Sequence, residues 1–177
     1  MRGIQQTDTA LDRARRAAEA VTDPELPILT LADLGVLRDV EMTADGTVVV
    51  TLTPTYSGCP AVAEMRADVA RRLNLSGFAA VEVRTALYPP WTTDWITEEG
   101  RRKLTEHGIA PPGPARRRPV RVPVLVPLVL SAAHRPVPCP RCGSGDTEET
   151  SRFSATPCKA LWRCRTCLEP FDHIKEF

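Results

Sequence analysis

The sequence predicts an α+β protein in which a small mixed sheet packs with helices and is followed by a small metal-bound β ribbon. Two observations indicate this architecture. Over residues 9–107 the apolar residues recur at helical and strand spacing in the order helix, strand, strand, helix, strand, helix. Near the C-terminus, two Cys-x-x-Cys pairs are separated by 21 residues, which is enough chain for two short hairpins to enclose a metal ion.

The first helix is predicted to begin at Thr9, because Thr9-Ala-Leu-Asp12 has the form of a capping box. Two prolines in Asp23-Pro-Glu-Leu-Pro27 remove backbone donors, so the helix is expected to end by about residue 21. The apolar residues between these points recur at helical spacing: Leu11, Ala14, Ala18 and Val21.

The next segments predict a β-hairpin and a second helix. Val36–Met42 and Thr47–Thr53 flank Ala44-Asp45-Gly46, and Asp-Gly between strand-like runs is typical of a tight hairpin turn. Pro60 suits the first turn of the helix that follows. The apolar face of that helix is formed by four residues at helical spacing: Val62, Met65, Val69 and Leu73.

A third strand over Val81–Leu87 and a short polar helix to about His107 complete the predicted first domain, residues 1–109. Residues 110–136 are rich in proline and arginine, which predicts a semi-rigid linker. Residues 137–177 hold both cysteine pairs and are the predicted ribbon domain.

Charge and hydropathy exclude several classes of function. A net charge of +1 argues against a nucleic-acid partner. Arg116-Arg117-Arg118 could bind an acidic partner or RNA, but no aromatic residues are interleaved with them, which favours a solvated linker. The N-terminus has no apolar secretory segment, and the most apolar run, Val120–Ala133, is interrupted and too short to span a bilayer. We therefore expect a cytoplasmic protein without membrane contact, whose six cysteines are metal ligands or reactive thiols.

Cys139, Cys142, Cys164 and Cys167 are the predicted ligands of a tetrahedral S4 site. A segment this short, with few large apolar residues, needs the free energy of metal binding in order to fold. Structural zinc is the expected metal, although such a site also accepts iron, and an open form could hold a cluster. A redox role therefore stays open beside a structural one. Cys158 is a spare core cysteine, a redox partner or an alternative ligand.

Cys59 is the candidate functional thiol of the first domain. It directly precedes Pro60, which places it at or near the N-cap of the second helix, where the helix dipole favours a thiolate. The preceding loop contributes hydroxyl groups that could also stabilise an anion: Thr53, Thr55, Tyr56 and Ser57. The thiol suits a nucleophile or a soft-metal ligand, and the alternative is a small buried core cysteine.

Other residues with suitable chemistry form weaker patterns. Asp23 and Glu25 are candidate carboxylate ligands for iron, although capping and solvating the end of the first helix is the simpler interpretation. The sequence contains no hydrolytic triad, phosphate-binding glycine loop or dinucleotide fingerprint. The three histidines match no metal motif, which favours surface or hydrogen-bonded side chains: His107, His134 and His173.

Several motifs resemble known families. Asp23-Pro-Glu-Leu-Pro27, Leu31-Ala-Asp-Leu-Gly35 and Thr53-Pro-Thr-Tyr-Ser-Gly-Cys-Pro60 resemble the domain shared by SufT and the cytosolic iron–sulfur assembly proteins. With further motifs they resemble the D (or J) subunits of bacterial phenylacetyl-CoA 1,2-epoxidases, the multicomponent ring oxygenases of aerobic phenylacetate degradation. The further motifs are Pro89-Pro-Trp-Thr-Thr-Asp-Trp95, Gly108-Ile-Ala-Pro-Pro112, and Cys158-Lys-Ala-Leu-Trp-Arg-Cys164 with Glu169-Pro-Phe171. The resemblance covers nearly the whole chain from about residue 10.

The resemblance implies an accessory subunit that is not itself catalytic. The chain has neither a di-iron ligand set nor a flavin site. By analogy it would help to mature or insert the metal centre of the oxygenase or its reductase, which are the implied partners. It further implies that Cys59 transiently ligates iron or an iron–sulfur cluster, with Asp23 or Glu25 nearby. The alternatives are a rubredoxin-like electron-transfer subunit and a purely structural subunit of the oxygenase complex.

Overall fold

The computed structural model describes residues 9–114 and 137–176. The chain divides into two compact units, Met1–Lys103 and Leu104–Phe177. Most of the predicted linker, including Arg116–Arg118, lies outside the described residues. No helix in the described ranges is long and apolar enough to cross a membrane.

Helix α1, Ala10–Glu19, begins at the predicted capping box. Asp12 donates its N–H to Thr9 Oγ1, and the Thr9 N–H donates to the Asp12 carboxylate, both at 3.1 Å. The helix ends two residues earlier than predicted, because Val21 already accepts a backbone hydrogen bond from Leu31 in a short bridge that returns the chain. Its small buried face allows close packing: Ala14, Ala17 and Ala18.

The first unit contains the mixed three-stranded sheet that the sequence predicts. The strands are β1 (Leu37–Met42), β2 (Val48–Leu52) and β3 (Val81–Thr85), in the order β1-β2-β3. β1 and β2 pair antiparallel through the predicted hairpin, where Gly46 has φ +85°. β2 and β3 pair in parallel, so the chain must cross over between them.

Helix α2, Val62–Leu75, provides that crossover between β2 and β3. It buries Met65, Val69 and Leu73, which confirms the predicted apolar face. After β3, a 3₁₀ turn at Thr93–Trp95 leads into the predicted polar helix, α3, at Glu98–Glu106.

Two of the motifs quoted above pack against each other in the first unit. The Trp91 indole N–H donates to the Leu34 carbonyl at 2.9 Å. Gly35 has φ +66°, and a Cβ at this position would lie 2.5 Å from the Trp95 carbonyl oxygen. Only glycine fits this conformation and this contact, so Gly35 allows the two loops to meet.

Asp33 connects the same loop region to α3. Its carboxylate lies 2.8 Å from Lys103 Nζ and accepts the Thr30 N–H at 2.9 Å. Burial raises the pKa of this carboxyl, but the hydrogen bonds from Lys103 and Thr30 outweigh burial and hold the pKa below its ordinary value. The ionised carboxylate therefore stabilises the loop at neutral pH.

The second unit is built on a four-stranded sheet in the order β4-β7-β6-β5. The strands are β4 (Ile109–Ala110), β5 (Thr147–Ser151), β6 (Lys159–Cys164) and β7 (Pro170–Ile174). β4 pairs in parallel with β7, and the other pairs are antiparallel. Residues 104–110, which the sequence-based division placed in the first domain, thus belong to the second compact unit. Its core consists of Ala110, Val137, Cys139, Ala160, Trp162, Cys164 and Phe171.

Candidate metal centre and candidate thiol loop

The four cysteines of the two Cys-x-x-Cys pairs converge on one point in the second unit, with all four Sγ atoms within 4.8 Å of one another. Cys139 Sγ lies 3.8 Å from Cys167 Sγ, and Cys142 Sγ lies 3.6 Å from Cys164 Sγ. Tetrahedral zinc with Zn–S bonds of about 2.3 Å separates its sulfur ligands by about 3.8 Å. The thiol cluster therefore has the size that a structural zinc ion requires.

The first pair lies on a tight turn at the start of the ribbon. The Cys139 N–H donates to the Ser144 carbonyl at 2.9 Å, and the Gly143 N–H donates to the Cys139 carbonyl at 2.8 Å. Gly143 has φ +73°, the left-handed conformation that glycine adopts without strain. This turn brings Cys142 back beside Cys139, so that both thiols face the same side.

The second pair lies on a turn with the same hydrogen-bond pattern. The Cys164 N–H donates to the Glu169 carbonyl at 3.0 Å, five residues on, as in the first turn. Leu168 occupies the position equivalent to glycine in the first turn and has φ +66°. The two turns are therefore related by approximate local symmetry, which explains how two separate segments supply matching halves of one site.

The protein presents backbone N–H groups to the sulfur atoms. The Cys167 N–H donates to Cys164 Sγ at 3.5 Å, and this hydrogen bond is the largest influence lowering the pKa of the Cys164 thiol, to about 6. Between the turns, the hydroxyl oxygens of Ser144 and Thr166 lie 2.8 Å apart. The second turn is thus preorganised to hold a thiolate, the protonation state that a metal requires.

Burial divides the four thiols into two pairs. Cys139 is 2% exposed and Cys164 is fully buried, whereas Cys142 is exposed and Cys167 is half-buried. A site with four protein ligands leaves no open coordination position. The chemistry of this donor set is therefore that of a closed structural zinc site, with one edge facing solvent.

Cys59 lies half-buried on the loop between β2 and α2. Its N–H donates to the Tyr56 carbonyl at 3.2 Å, and its carbonyl accepts the Val62 N–H at 3.4 Å. The N-cap of α2 is Ala61, so Cys59 lies two residues before the cap. The predicted N-cap position is therefore wrong by two residues, because an additional turn at Cys59–Val62 precedes the helix.

The sheet positions the base of this loop. The Thr53 N–H donates to the Val36 carbonyl at 2.8 Å, and the Ala86 N–H donates to the Leu52 carbonyl at 2.9 Å. Because β2 and β3 are parallel, the segments that follow them leave from the same edge of the sheet. The thiol loop is thus anchored to rigid strands at the point where it begins.

Asp23 and Glu25 lie on the turn after α1. Asp23 is buried, and its Oδ1 accepts the N–H groups of Glu25 at 2.9 Å and Leu26 at 2.7 Å. These bonds support the capping interpretation of Asp23, since one carboxylate oxygen already satisfies the backbone of its own turn. Glu25 is half-buried.

Among the described residues, the cysteine tetrad is the group whose ligand atoms are close enough for a metal ion. Cys59, Asp23 and Glu25 do not form a second such group. Cys158 is half-buried, and its Sγ lies 3.1 Å from Thr156 Oγ1, outside the tetrad.

His173 is a feature that the sequence analysis missed. The expectation of a surface or hydrogen-bonded histidine is wrong here, because the ring is buried and makes no hydrogen bond with the part of the chain that the structure describes. Its alternation with Phe171 along β7 was the available indication of burial.

The fold and the site define a class of protein: an iron–sulfur assembly domain joined to a zinc ribbon. Residues 11–85 match the family described as iron–sulfur cluster assembly protein. Residues 126–175 match the family described as the PaaD zinc beta ribbon domain.

The chain belongs to the family of phenylacetyl-CoA epoxidase D subunits. It is 42% identical over 157 residues to an Escherichia coli K12 protein, covering 88% of this chain and 86% of that protein, whose assignment as the D component of 1,2-phenylacetyl-CoA epoxidase is provisional. It is also 34% identical over 90 residues to an Fe–S protein maturation auxiliary factor of Porphyromonas gingivalis, covering 50% of this chain and 85% of that protein. A Bacillus anthracis crystal structure described as a domain of unknown function, DUF59, matches 53% of this chain and 90% of its own length, with 29% identity and a TM-score of 0.49.

Proposed function

We propose that this chain is an accessory subunit of a multicomponent phenylacetyl-CoA 1,2-epoxidase in aerobic phenylacetate degradation. In this role it assists the maturation of the metal centre or iron–sulfur cluster of the oxygenase or its reductase. Two relatives support the proposal: one, matched over most of its length, carries the name of an epoxidase component, and the other carries the name of an Fe–S maturation factor.

The observation that carries the proposal is the placement of Cys59 on an anchored loop, half-buried and outside the closed tetrad. A thiolate is a soft ligand that binds iron and iron–sulfur clusters. The thiol also lies just before the amino end of α2, where the helix dipole stabilises negative charge. A single accessible thiolate binds its cargo incompletely, so a client protein can complete the coordination and remove the iron.

The two sulfur sites then have different tasks. The tetrad has no open coordination position, so its zinc stays in place and the ribbon serves to dock or position a partner. Cys59 handles the transferred iron or cluster, which is cargo and not a resident cofactor. Asp23 and Glu25 enter the proposal as supplementary carboxylates, and Asp23 can offer only the oxygen that its own turn does not use.

Cys59→Ser tests this function. In a strain that co-expresses the oxygenase and reductase, we expect the iron content of the oxygenase and its epoxidation rate to fall several-fold, because serine is a much weaker ligand for iron. Cys158→Ser is the matched control, since Cys158 is equally half-buried but lies in the second unit. Normal iron content and full activity with Cys59→Ser would contradict the proposal and favour a purely structural subunit.

A further inference from the structure

A cavity of about 530 Å³ lies within the second unit, beside the first cysteine turn. It is bordered by Ala110 of β4, by Cys139 and Gly143 of the turn, and by His173 of β7. Its volume falls in the range of ligand-binding pockets, about 300–1,000 Å³. The proposed role of Cys59 makes no use of this cavity.

The cavity wall is poor in hydrogen-bond donors. Two backbone donors in the wall are already used, because the Cys139 N–H binds the Ser144 carbonyl and the Gly143 N–H binds the Cys139 carbonyl. Carbonyl oxygens therefore outnumber the N–H groups that a ligand could reach. Five lining residues have no backbone N–H at all: Pro111, Pro112, Pro114, Pro138 and Pro140.

His173 is the polar ring in this wall. It is only 8% exposed, and it packs edge-to-face against Trp162 with ring centroids 5.7 Å apart. Within the described residues the ring makes no hydrogen bond. Burial lowers the pKa of His173 to about 4, so the ring is neutral at pH 7 and does not repel a cation. A buried polar ring without a hydrogen-bond partner is a group that a ligand can satisfy.

The formal charge of the cavity is negative. Glu176 lines it, and no lysine or arginine is among its described lining residues. A Cβ added to Gly113 would lie 2.8 Å from Glu176 Oε1, so the glycine leaves room for the carboxylate against the wall. An anionic ligand would find neither a positive charge nor reachable donors here, whereas a cationic donor would find both charge and acceptors.

We propose that this cavity binds the side chain of an arginine presented by a partner polypeptide. A guanidinium carries five N–H donors and no acceptor, which matches a wall of carbonyl and carboxylate oxygens. Its methylene stem packs against the proline rings while the charged end pairs with Glu176. The neutral His173 ring supplies one further acceptor nitrogen. This assignment does not depend on iron handling by Cys59.

The test uses the zinc-loaded full chain, isotopically labelled for NMR, and the peptide acetyl-Gly-Pro-Arg-Pro-Gly-amide. We expect the peptide to shift the Gly113 amide and His173 ring signals in a saturable way. The same peptide with citrulline, which keeps the shape but loses the charge, should bind at least tenfold more weakly. Glu176→Gln should weaken arginine binding by a similar factor, whereas Glu169→Gln, at an exposed glutamate outside the cavity, should leave it unchanged.

Three outcomes would overturn the proposal. The first is the absence of saturable shifts at millimolar peptide. The second is equal binding of the arginine and citrulline peptides, or binding that Glu176→Gln does not weaken. The third is a change in the His173 ring signals, without peptide, when Arg116–Arg118 are replaced by glutamine, since arginines of this chain rather than of a partner would then fill the cavity.

Discussion

At the level of single residues, His173 combines burial with a titratable ring. The wall of the second unit removes water from the imidazole, and burial lowers its pKa to about 4, against a weaker opposing effect of the nearby Glu176 carboxylate. The ordinary pKa of an unfolded histidine is about 6.5. The unfolded chain therefore binds this proton at a higher pH than the folded chain does.

This difference predicts an acid sensitivity of folding. As the pH falls from 7.5 to 5.5, the unfolded state takes up the His173 proton and the folded state does not, so stability falls by about 1.4 kcal/mol. His173→Gln should lose this part of the pH dependence, as measured by urea unfolding of the zinc-loaded protein at both pH values. Replacing the exposed His107 by glutamine should preserve it. Equal pH slopes for the wild type and His173→Gln would refute the assignment.

At the level of elements, the two cysteine turns show how one backbone shape is produced by different residues. Gly143 and Leu168 occupy equivalent positions, with φ values of +73° and +66°. Glycine adopts this conformation freely, whereas a leucine is strained there by roughly 1–2 kcal/mol. The second turn keeps its shape because the ribbon and the metal stabilise it from both sides.

Leu168→Gly is therefore expected to stabilise the zinc-loaded ribbon, by roughly 1 kcal/mol. Little burial is lost, since Leu168 is 62% exposed. The measurement is urea unfolding followed by the NMR signals of β6. Gly143→Leu is the reciprocal control and should destabilise through backbone strain alone, because nothing lies within 4 Å of a Cβ added at Gly143. A loss of stability in Leu168→Gly would show that the leucine side chain makes a contribution larger than the strain.

At the level of the whole molecule, two compact units differ in what stabilises them. The first unit has a mixed sheet covered by helices, and its core needs no ligand. The core of the second unit has seven residues, two of which are cysteines of the tetrad. Structural zinc contributes about 10–16 kcal/mol to the folding of small domains of this kind. Metal and fold are therefore coupled in one unit only.

Zinc removal should separate the two units. We expect one zinc per chain and no visible absorption in the purified protein, and a strong chelator should abolish the cross-strand amide protection of β5, β6 and β7 while that of β1, β2 and β3 persists. Elemental analysis and amide hydrogen exchange measure these outcomes. Iron with visible bands that bleach on reduction would instead support the rubredoxin-like alternative. Full protection of β6 after chelation would show that the ribbon folds without metal.

Much of the architecture could be predicted from sequence because its determinants are local. The capping box at Thr9, the Asp-Gly turn before β2 and the apolar face of α2 each depend on residues a few positions apart. Spacing likewise identified the cysteine tetrad, since each pair lies on a single turn. The position of Cys59 was predicted less well, because an extra turn before α2 depends on how the loop is anchored to Val36 and β2.

The sequence by itself determined the fold class, the four sulfur ligands and the family, because these follow from periodicity and from short motifs. Only the tertiary structure decided what depends on residues far apart in the chain: the contact of Gly35 with Trp95, the pairing of β4 with β7, and the cavity in which His173 faces Glu176. The physical reason is that burial and the electrostatic surroundings of a side chain come from all the segments that pack around it. Local spacing carries no record of those segments.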